Sequence, residues 1–570
     1  MGASFRGDPQ LARRLSPSLL PIVVALGYVT VLGQGLFSLP WPYVDIHNTM
    51  RDAATSSWPQ YVRDAFGRDV EYRPFFTLGV KLSYQLVGLR LWSYQALVLM
   101  QFGAVLALLL WLVRPVGVRR SVAATLALAC FVGLHTTRIL FGFWPLNHHS
   151  AGLVLLLAAL ALALDPRART FDWVFFPLTL VALLVLESGL LLAPLVPILW
   201  WVKAPGVSLR GVAGTMAGVA CYVAIRFSLG ATDTLSSVYT GSGLGFSQLN
   251  PEALRNIFEH APWLFWLYNV IASLLTVVAS EPRAGVYQFV ASLVRGETPF
   301  WQWLHVGSSL LTTVAVVAGS ILYRPSTDRD RLLMVAGVVL VIFGSGLGAL
   351  YTRDRIGLSA GVGYVLLLYV ALAAILDRLP ASGWRRPLAV CGILGVVAVA
   401  WIVRSAETYI QFRDTAWDFH LEWTDRYADL GGTAQPQTEL LRSLRSAALR
   451  VTPADPRRDP AWTYALFERR FRPGDQASGV SPDVAADNAV RLLSPPFDIR
   501  WTPDVDDASR LRLEAELGLA DARRVERDAT GRTWAYRLRR PTRDRVRTVL
   551  MNAAVEDTAR IDAARFEIVE

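Results

Sequence analysis

The chain has 570 residues, of which 53% are hydrophobic and 18% charged, with a mean hydropathy of +0.36 and a net charge of +10. A water-soluble chain of this size carries fewer apolar and more charged residues. The basic excess sits in short loops between apolar blocks, a pattern that matches a membrane protein and argues against a nucleic-acid-binding surface.

Lys81 and Lys203 are the only lysines among 56 basic residues. With abundant Ala, Gly and Val, this preference for arginine is associated with a GC-rich bacterial genome, and hence with a bacterial plasma membrane. Cys130, Cys221 and Cys391 all fall in apolar blocks. That excludes a disulfide framework and any zinc spacing.

The apolar blocks are about twenty residues long, enough to cross a bilayer core of about 30 Å. Inside such a core the backbone must satisfy its own hydrogen bonds, so each block is read as a helix. Arg6, Arg13 and Arg14 precede the first run, 19–39. That run is too long for a signal-peptide core and lacks a small-residue cleavage site, so it is a retained first span. Eleven spans are predicted, at 18–39, 92–113, 120–139, 150–165, 172–186, 188–202, 209–229, 301–323, 332–350, 356–376 and 386–404.

Arginine placement orients them. Arg13 and Arg14 are cytoplasmic. Arg114, Arg119 and Arg120 follow span two, Arg167 and Arg169 span four, and Lys203 and Arg210 span six. Arg324, Arg329 and Arg331 follow span eight, and Arg378, Arg385 and Arg386 span ten. All these clusters fall on one side if each block crosses once. The apolar stretch 262–279 breaks the pattern, because a crossing there would move every later cluster to the other side. It is therefore read, with the amphipathic 283–300, as lying in or on the outer leaflet.

The outer loops are 40–91 and 230–300. From 406 to 570 the chain becomes charged and Pro-punctuated, as at Ser494-Pro495-Pro496. An amphipathic helix is predicted over 440–451, a hairpin over 524–540 turning at Asp528-Ala529-Thr530-Gly531, and a closing strand over 566–569. The fold class is an all-α polytopic membrane domain over 1–405, of about eleven helices. A small soluble α+β domain follows over 406–570, outside the membrane.

Charges near a bilayer are costly and mark candidate functional positions. Asp45 and His47 follow span one. Glu71, Tyr72 and Arg73 precede Pro74. Arg138, His148 and His149 lie between spans three and four, Glu187 at the turn between spans five and six, and Arg353, Asp354 and Arg355 between spans nine and ten. All share one depth at the outer face. A carboxylate, imidazoles and guanidinia gathered there suit transfer chemistry on an anionic, membrane-held substrate: arginine binds phosphate bidentately and a carboxylate takes a proton from an acceptor hydroxyl. Each also has a structural counterpart. Asp45 can cap a helix, Glu187 can pair with an arginine and Arg355 can snorkel at the membrane edge. Arg73 can clamp its loop. His148 and His149 are candidate metal ligands, although hydrogen bonding within the loop is the commoner fate.

Trp41-Pro42-Tyr43-Val44-Asp45-Ile46-His47 after a first span is followed by Tyr72-Arg73-Pro74-Phe75 and then by Trp92-Ser93-Tyr94-Gln95 opening the next. This order resembles the GT-C membrane glycosyltransferases, above all the transmembrane O-mannosyltransferase type that in other members carries tetratricopeptide repeats. Leu186-Glu187-Ser188 resembles that family's Lys-Glu turn, with leucine at the lysine position. Tyr351-Thr352-Arg353-Asp354-Arg355-Ile356 resembles its Glu-Arg-Tyr turn. The likeness covers about residues 20 to 405; no repeats occur beyond it.

The resemblance implies transfer of a sugar from a polyprenyl-phosphate carrier at the outer face, with inversion. Asp45 would be the catalytic carboxylate. Tyr72, Arg73, His148, Glu187, Arg353 and Arg355 are the expected substrate-binding set, with Arg355 on the carrier phosphate. Relatives often carry a second acid where Ile46 stands, which weakens a metal-bridging role, so no metal cofactor is expected. The expected partners are the lipid-linked donor, the bilayer and an acceptor that is protein, lipid or polysaccharide; nucleic acid is not among them. The alternative of another class is a transporter or flippase. It calls for polar or broken helices at mid-depth and often for repeats, whereas spans two to four are almost purely apolar and no halves match. An inactive relative acting as a scaffold is a third reading.

Overall fold

The computed structural model describes residues 9–42, 44–67, 72–142, 147–228, 262–279, 286–294, 296, 298–323, 327–349, 354–379, 385–429, 437–454, 460, 463, 497–501, 507–516, 519, 523–526, 533–537 and 566–569. The chain divides into two compact units, one of residues 1–412 with 440–447, the other of 413–439 with 448–570.

The first unit is helical. Among the described residues seven helices are long and apolar enough to cross a bilayer, and an eighth crossing is made if a bent pair counts as one. They are α1 (Pro9–Phe37), α5 (Leu91–Val113), α8 (Phe175–Val185) with the 3-10 turn Pro166–Val174 before it, α10 (Leu209–Ser228), α13 (Phe300–Leu322), α15 (Leu358–Asp377) and α16 (Arg385–Asp429). The bent pair is α6 (Val118–Gly133) and the 3-10 segment His135–Phe141, which meet at 73°. Shorter apolar helices are α7 (His148–Ala163), α9 (Leu192–Trp201) following the 3-10 turn Glu187–Leu191, and α11 (Pro262–Val278). Between α1 and α5 lie α2 (Val44–Thr55), α3 (Trp58–Phe66) and α4 (Pro74–Val87). α12 (Val286–Val294) precedes α13, and α14 (Asp328–Gly346) precedes α15.

Arginines of the clusters after spans two and eight meet at one end of these helices. Arg120 bonds Asp330 at 2.8 Å and lies 3.8 Å from Asp377. Arg119 donates to the carbonyls of Asp377 and Leu379, Arg329 to those of Leu112 and Trp111, and Arg331 to that of Val202. Helix C-termini expose carbonyls that have no partner within the helix and carry partial negative charge. Arginines from neighbouring loops satisfy them. The ends of α5, α9 and α15 and the starts of α6 and α14 are thereby fastened into one basic face. A cavity of about 150 Å³ opens there, lined by Tyr323, Asp330, Asp377 and Arg378 among others.

α15 is buried along nearly its whole length and forms the centre of the unit. It approaches α14 so closely that a Cβ on Gly363 would lie 2.6 Å from the Gly337 carbonyl. Only glycine permits that spacing.

The stretch 262–279, expected in or on the outer leaflet, forms α11. α11 packs into the unit: Asn269 donates to the Ala349 carbonyl, and Ser273 lies against Gly348 and Gly357. Its last carbonyl, that of Val278, accepts from Thr313 at 3.1 Å. Thr313 is about 20 Å along α13 from Phe300, at 1.5 Å per residue. At the beginning of α13, Ser292 of α12 bonds Gln302 and Phe289 meets Trp303 edge-on. α11 therefore reaches into the unit. Polar residues (Asn269, Ser273, Thr276) on its inner face make the embedding possible, and Trp263, Leu267 and Ile271 remain exposed on the other.

α16 continues as a helix to Asp429, beyond the residue 404 expected to end the last span. The loop 230–260 lies outside the described residues.

The second unit contains a four-stranded antiparallel sheet of order β2-β3-β1-β4: β1 (Phe497–Trp501), β2 (Arg523–Glu526), β3 (Thr533–Arg537) and β4 (Phe566–Val569). The hairpin anticipated over 524–540 is β2 paired with β3, and the strand over 566–569 closes on β1. Residues 528–531 and 494–496 lie outside the described residues. Tyr536 donates to Glu514 at 2.7 Å and accepts from Trp501, and burial pushes its phenol well above the ordinary range. The helix expected over 440–451 is present as Gln437–Leu449.

A leucine at Gly363 should force α14 and α15 apart and cost about 1–3 kcal/mol, the range for overpacking a core. The midpoint of thermal unfolding of the full chain in detergent should fall. An unchanged midpoint would mean that the two helices are not in this contact.

Candidate active site

Three of the anticipated residues meet at the end of the helices opposite the basic face. α4 opens at Pro74, whose fixed φ suits a first helical position. Arg73 is thereby left just outside the helix as its N-cap. A cation at the positive end of a helix is unfavourable and calls for a counter-charge. Glu187 supplies it, with Oε2 at 3.2 Å from Arg73 Nε. Glu187 stands where the apolar run breaks: Leu186 is extended, and the carboxylate begins the next helical turn, where the dipole favours an anion.

The third member is His148, whose Nε2 lies 3.0 Å from Arg73 Nη1. Since the guanidinium can only donate, Nε2 accepts, and the ring is the neutral Nδ1–H tautomer. A nitrogen spent in this way is not open to a cation. The ring packs on Phe76 and on His149, with centroids 4.8 and 4.2 Å away. Asn147 places it. Its Oδ1 caps α7 by accepting from Ser150 N–H, and its Nδ2 donates to the carbonyls of Ile139 and Gly142. One side chain thus ties the start of α7 to the 3-10 segment before it.

Tyr72 is fully buried beneath Arg73 and packs with Leu183, Leu184 and Tyr222. Burial raises its phenol above the ordinary range. Arg226 lies over its ring and donates to Tyr222 Oη at 2.8 Å. Tyr72 therefore anchors the loop from below, and Arg226 is a cation at this site that the sequence reading passed over. Its signal was an arginine in the last turn of an otherwise apolar helix, four residues after a tyrosine.

The remaining anticipated residues are placed only by backbone. Asp45 is in the first turn of α2 and Arg355 in the 3-10 turn Asp354–Gly357; their side chains lie outside the described residues, as does all of Arg353. Gly357 of that turn abuts Thr136 of the segment His135–Phe141.

A second group was not anticipated as a cluster. Glu407, 1% exposed, lies with Oε2 at 2.6 Å from Arg138 Nη2 and 2.8 Å from His305 Nε2. Arg404, one turn before it, donates from Nη1 to the His305 carbonyl and to the hydroxyls of Ser308 and Ser309, and its guanidinium stacks on Trp401 at 3.9 Å. α13, α16 and the segment His135–Phe141 are thus pinned by one carboxylate and two guanidinia. The signal available in the sequence was Trp401, Arg404, Glu407 and Thr408 at helical spacing, but the span was taken to end at 404.

No protein-family model, curated protein or solved structure matches this chain.

Removing one partner of a buried ion pair leaves an uncompensated charge. Glu407→Ala should therefore lower stability by about 3–5 kcal/mol. The double variant Arg138→Met/Glu407→Leu should lie closer to the wild type. Denaturation midpoints in detergent check both. A single variant as stable as the wild type would show that Glu407 is not in this pairing.

Proposed function

We propose that the chain is an inverting membrane glycosyltransferase of the GT-C type, moving a sugar from a polyprenyl-phosphate carrier to an acceptor at the outer face of a bacterial plasma membrane. The observation that carries this reading is the meeting of Arg73, Glu187 and His148. They come from three separate parts of the chain and stand at the end of the helices away from the basic face. Arginine-rich ends are cytoplasmic in polytopic proteins, so this end is the outer one. The proposal includes eleven crossings, a cytoplasmic N-terminus and a soluble C-terminal domain outside. α7, α9 and α14 would then be crossings despite their modest length or charged first turn, which their contacts at both ends favour.

In this reading Asp45 is the general base on the acceptor hydroxyl. Arg355 holds the carrier phosphate by bidentate hydrogen bonds and weakens its bond to the sugar as charge builds on the leaving oxygen. Arg73, held by Glu187 and His148, presents its cation to the same anionic group. Tyr72 and Arg353 complete the proposed substrate-binding set. A carboxylate base typically contributes about 10²–10⁴-fold.

A transporter is the second reading. The 73° break between α6 and the segment bearing Arg138, together with the Glu407 cluster, is the kind of feature that it needs.

Full-length protein in liposomes, given polyprenyl-phosphate sugars and envelope acceptors, should form a glycosylated product. Asp45→Asn should reduce turnover by about 100-fold or more, with expression unchanged. Full activity in Asp45→Asn removes that residue from the mechanism. Uptake of substrate without any product would replace the enzyme by the transporter.

A further inference from the structure

Lys81 stands alone in the outer half of an arginine-rich protein; the only other lysine is Lys203. It lies on α4, two turns after Arg73, and is 4% exposed. Its Nζ donates to two main-chain carbonyls, those of Ala53 and Ser56, each at 2.6 Å. The ammonium also sits over the rings of Trp58 and Tyr61, 5.9 and 5.5 Å from their centroids. No carboxylate among the described residues pairs with it. Burial pushes the ammonium below the ordinary lysine range. Among the described residues, carbonyl dipoles and ring faces hold this charge.

The two carbonyls explain the choice of residue. Ala53 is in the last turn of α2, where carbonyls lack an intrahelical donor. Ser56 joins α2 to α3. Two acceptors converging on one point need a compact ammonium with rotatable donors; a guanidinium spreads its donors over a rigid plane suited to a carboxylate. α3 has its own fastening to α4, through Trp58 Nε1 donating to Gln85 at 2.9 Å. The attachment special to Lys81 is therefore that of the α2 end.

We infer that Lys81 is a positioning residue that locks α2, with Asp45 in its first turn, onto α4, with Arg73 at its cap, so that carboxylate and guanidinium are presented as one rigid piece. The inference rests on the roles proposed above for Asp45 and Arg73. Lys81 itself touches no substrate; it acts through the helix that it caps.

The test compares full-length wild type, Lys81→Met and Lys81→Arg in nanodiscs by amide hydrogen exchange and sugar transfer. In Lys81→Met, amides over 44–57 should exchange at least about tenfold faster, as expected for a local opening. Protection elsewhere and the unfolding midpoint should be unchanged. Turnover should fall at least about tenfold with KM within about twofold, the pattern of lost transition-state alignment. Lys81→Arg should recover only part of either. Unchanged exchange over 44–57 in Lys81→Met overturns the inference. So does loss of protection across the whole unit with a lower midpoint, which would make Lys81 a general packing residue. Faster local exchange in a protein whose wild type transfers no sugar would retain the lock and reject the proposed reaction.

Discussion

A charge inside a membrane domain is tolerated only when it is paired, and the Glu407 carboxylate is where this constraint is strictest. It receives Arg138 from the bent segment after α6 and His305 from α13, while Arg404 of its own helix caps the main chain and hydroxyls of α13. Without it, the guanidinium of Arg138 and the buried one of Arg404 would lack this carboxylate. The bend at Leu134 depends on the same pairing. A helix can break at membrane depth only where protein re-satisfies the freed groups, and here the broken end is held by an ion pair and by Asn147.

The same chemistry organises both ends of the unit with different partners. At the basic face arginines mostly meet carbonyls at helix ends, which stabilises the helices and leaves little reactive surface. At the opposite end arginine meets carboxylate and imidazole, in a loop fixed by Tyr72 below and by Lys81 at the side. A guanidinium held by Glu187 and His148 cannot swing to follow solvent. That is the condition for preorganised recognition of an anion.

Much of the plan was legible in the sequence. Local charge put the arginines after the second and eighth apolar blocks on one side, and Arg119, Arg120, Arg329 and Arg331 do gather at one end of the helices. Arg73, His148 and Glu187 were marked because each is a polar residue at the end of an apolar run. Their pairing was not legible, since Arg73 and Glu187 are 114 positions apart and nothing local specifies the partner. Glu407 escaped for a different reason. Hydropathy marks where apolar residues stop, but α16 continues as a helix through Arg404 and Glu407 because their charges are matched from other helices. For the stretch 262–279, charge placement indicates a helix in or on the outer leaflet. Its packing against the unit includes Asn269 donating to the Ala349 carbonyl, a pairing that hydropathy does not reveal.

Asp45, Arg73, Glu187 and Arg355 are proposed to serve one substrate at the outer end of the helices. Electron cryo-microscopy of the full chain in nanodiscs with a polyprenyl-phosphate sugar tests this most directly. The account predicts phosphate density against Arg73 and Arg355, with the sugar facing Asp45. Asp45 and Arg355 opening onto separate surfaces, with the lipid bound elsewhere, would contradict it.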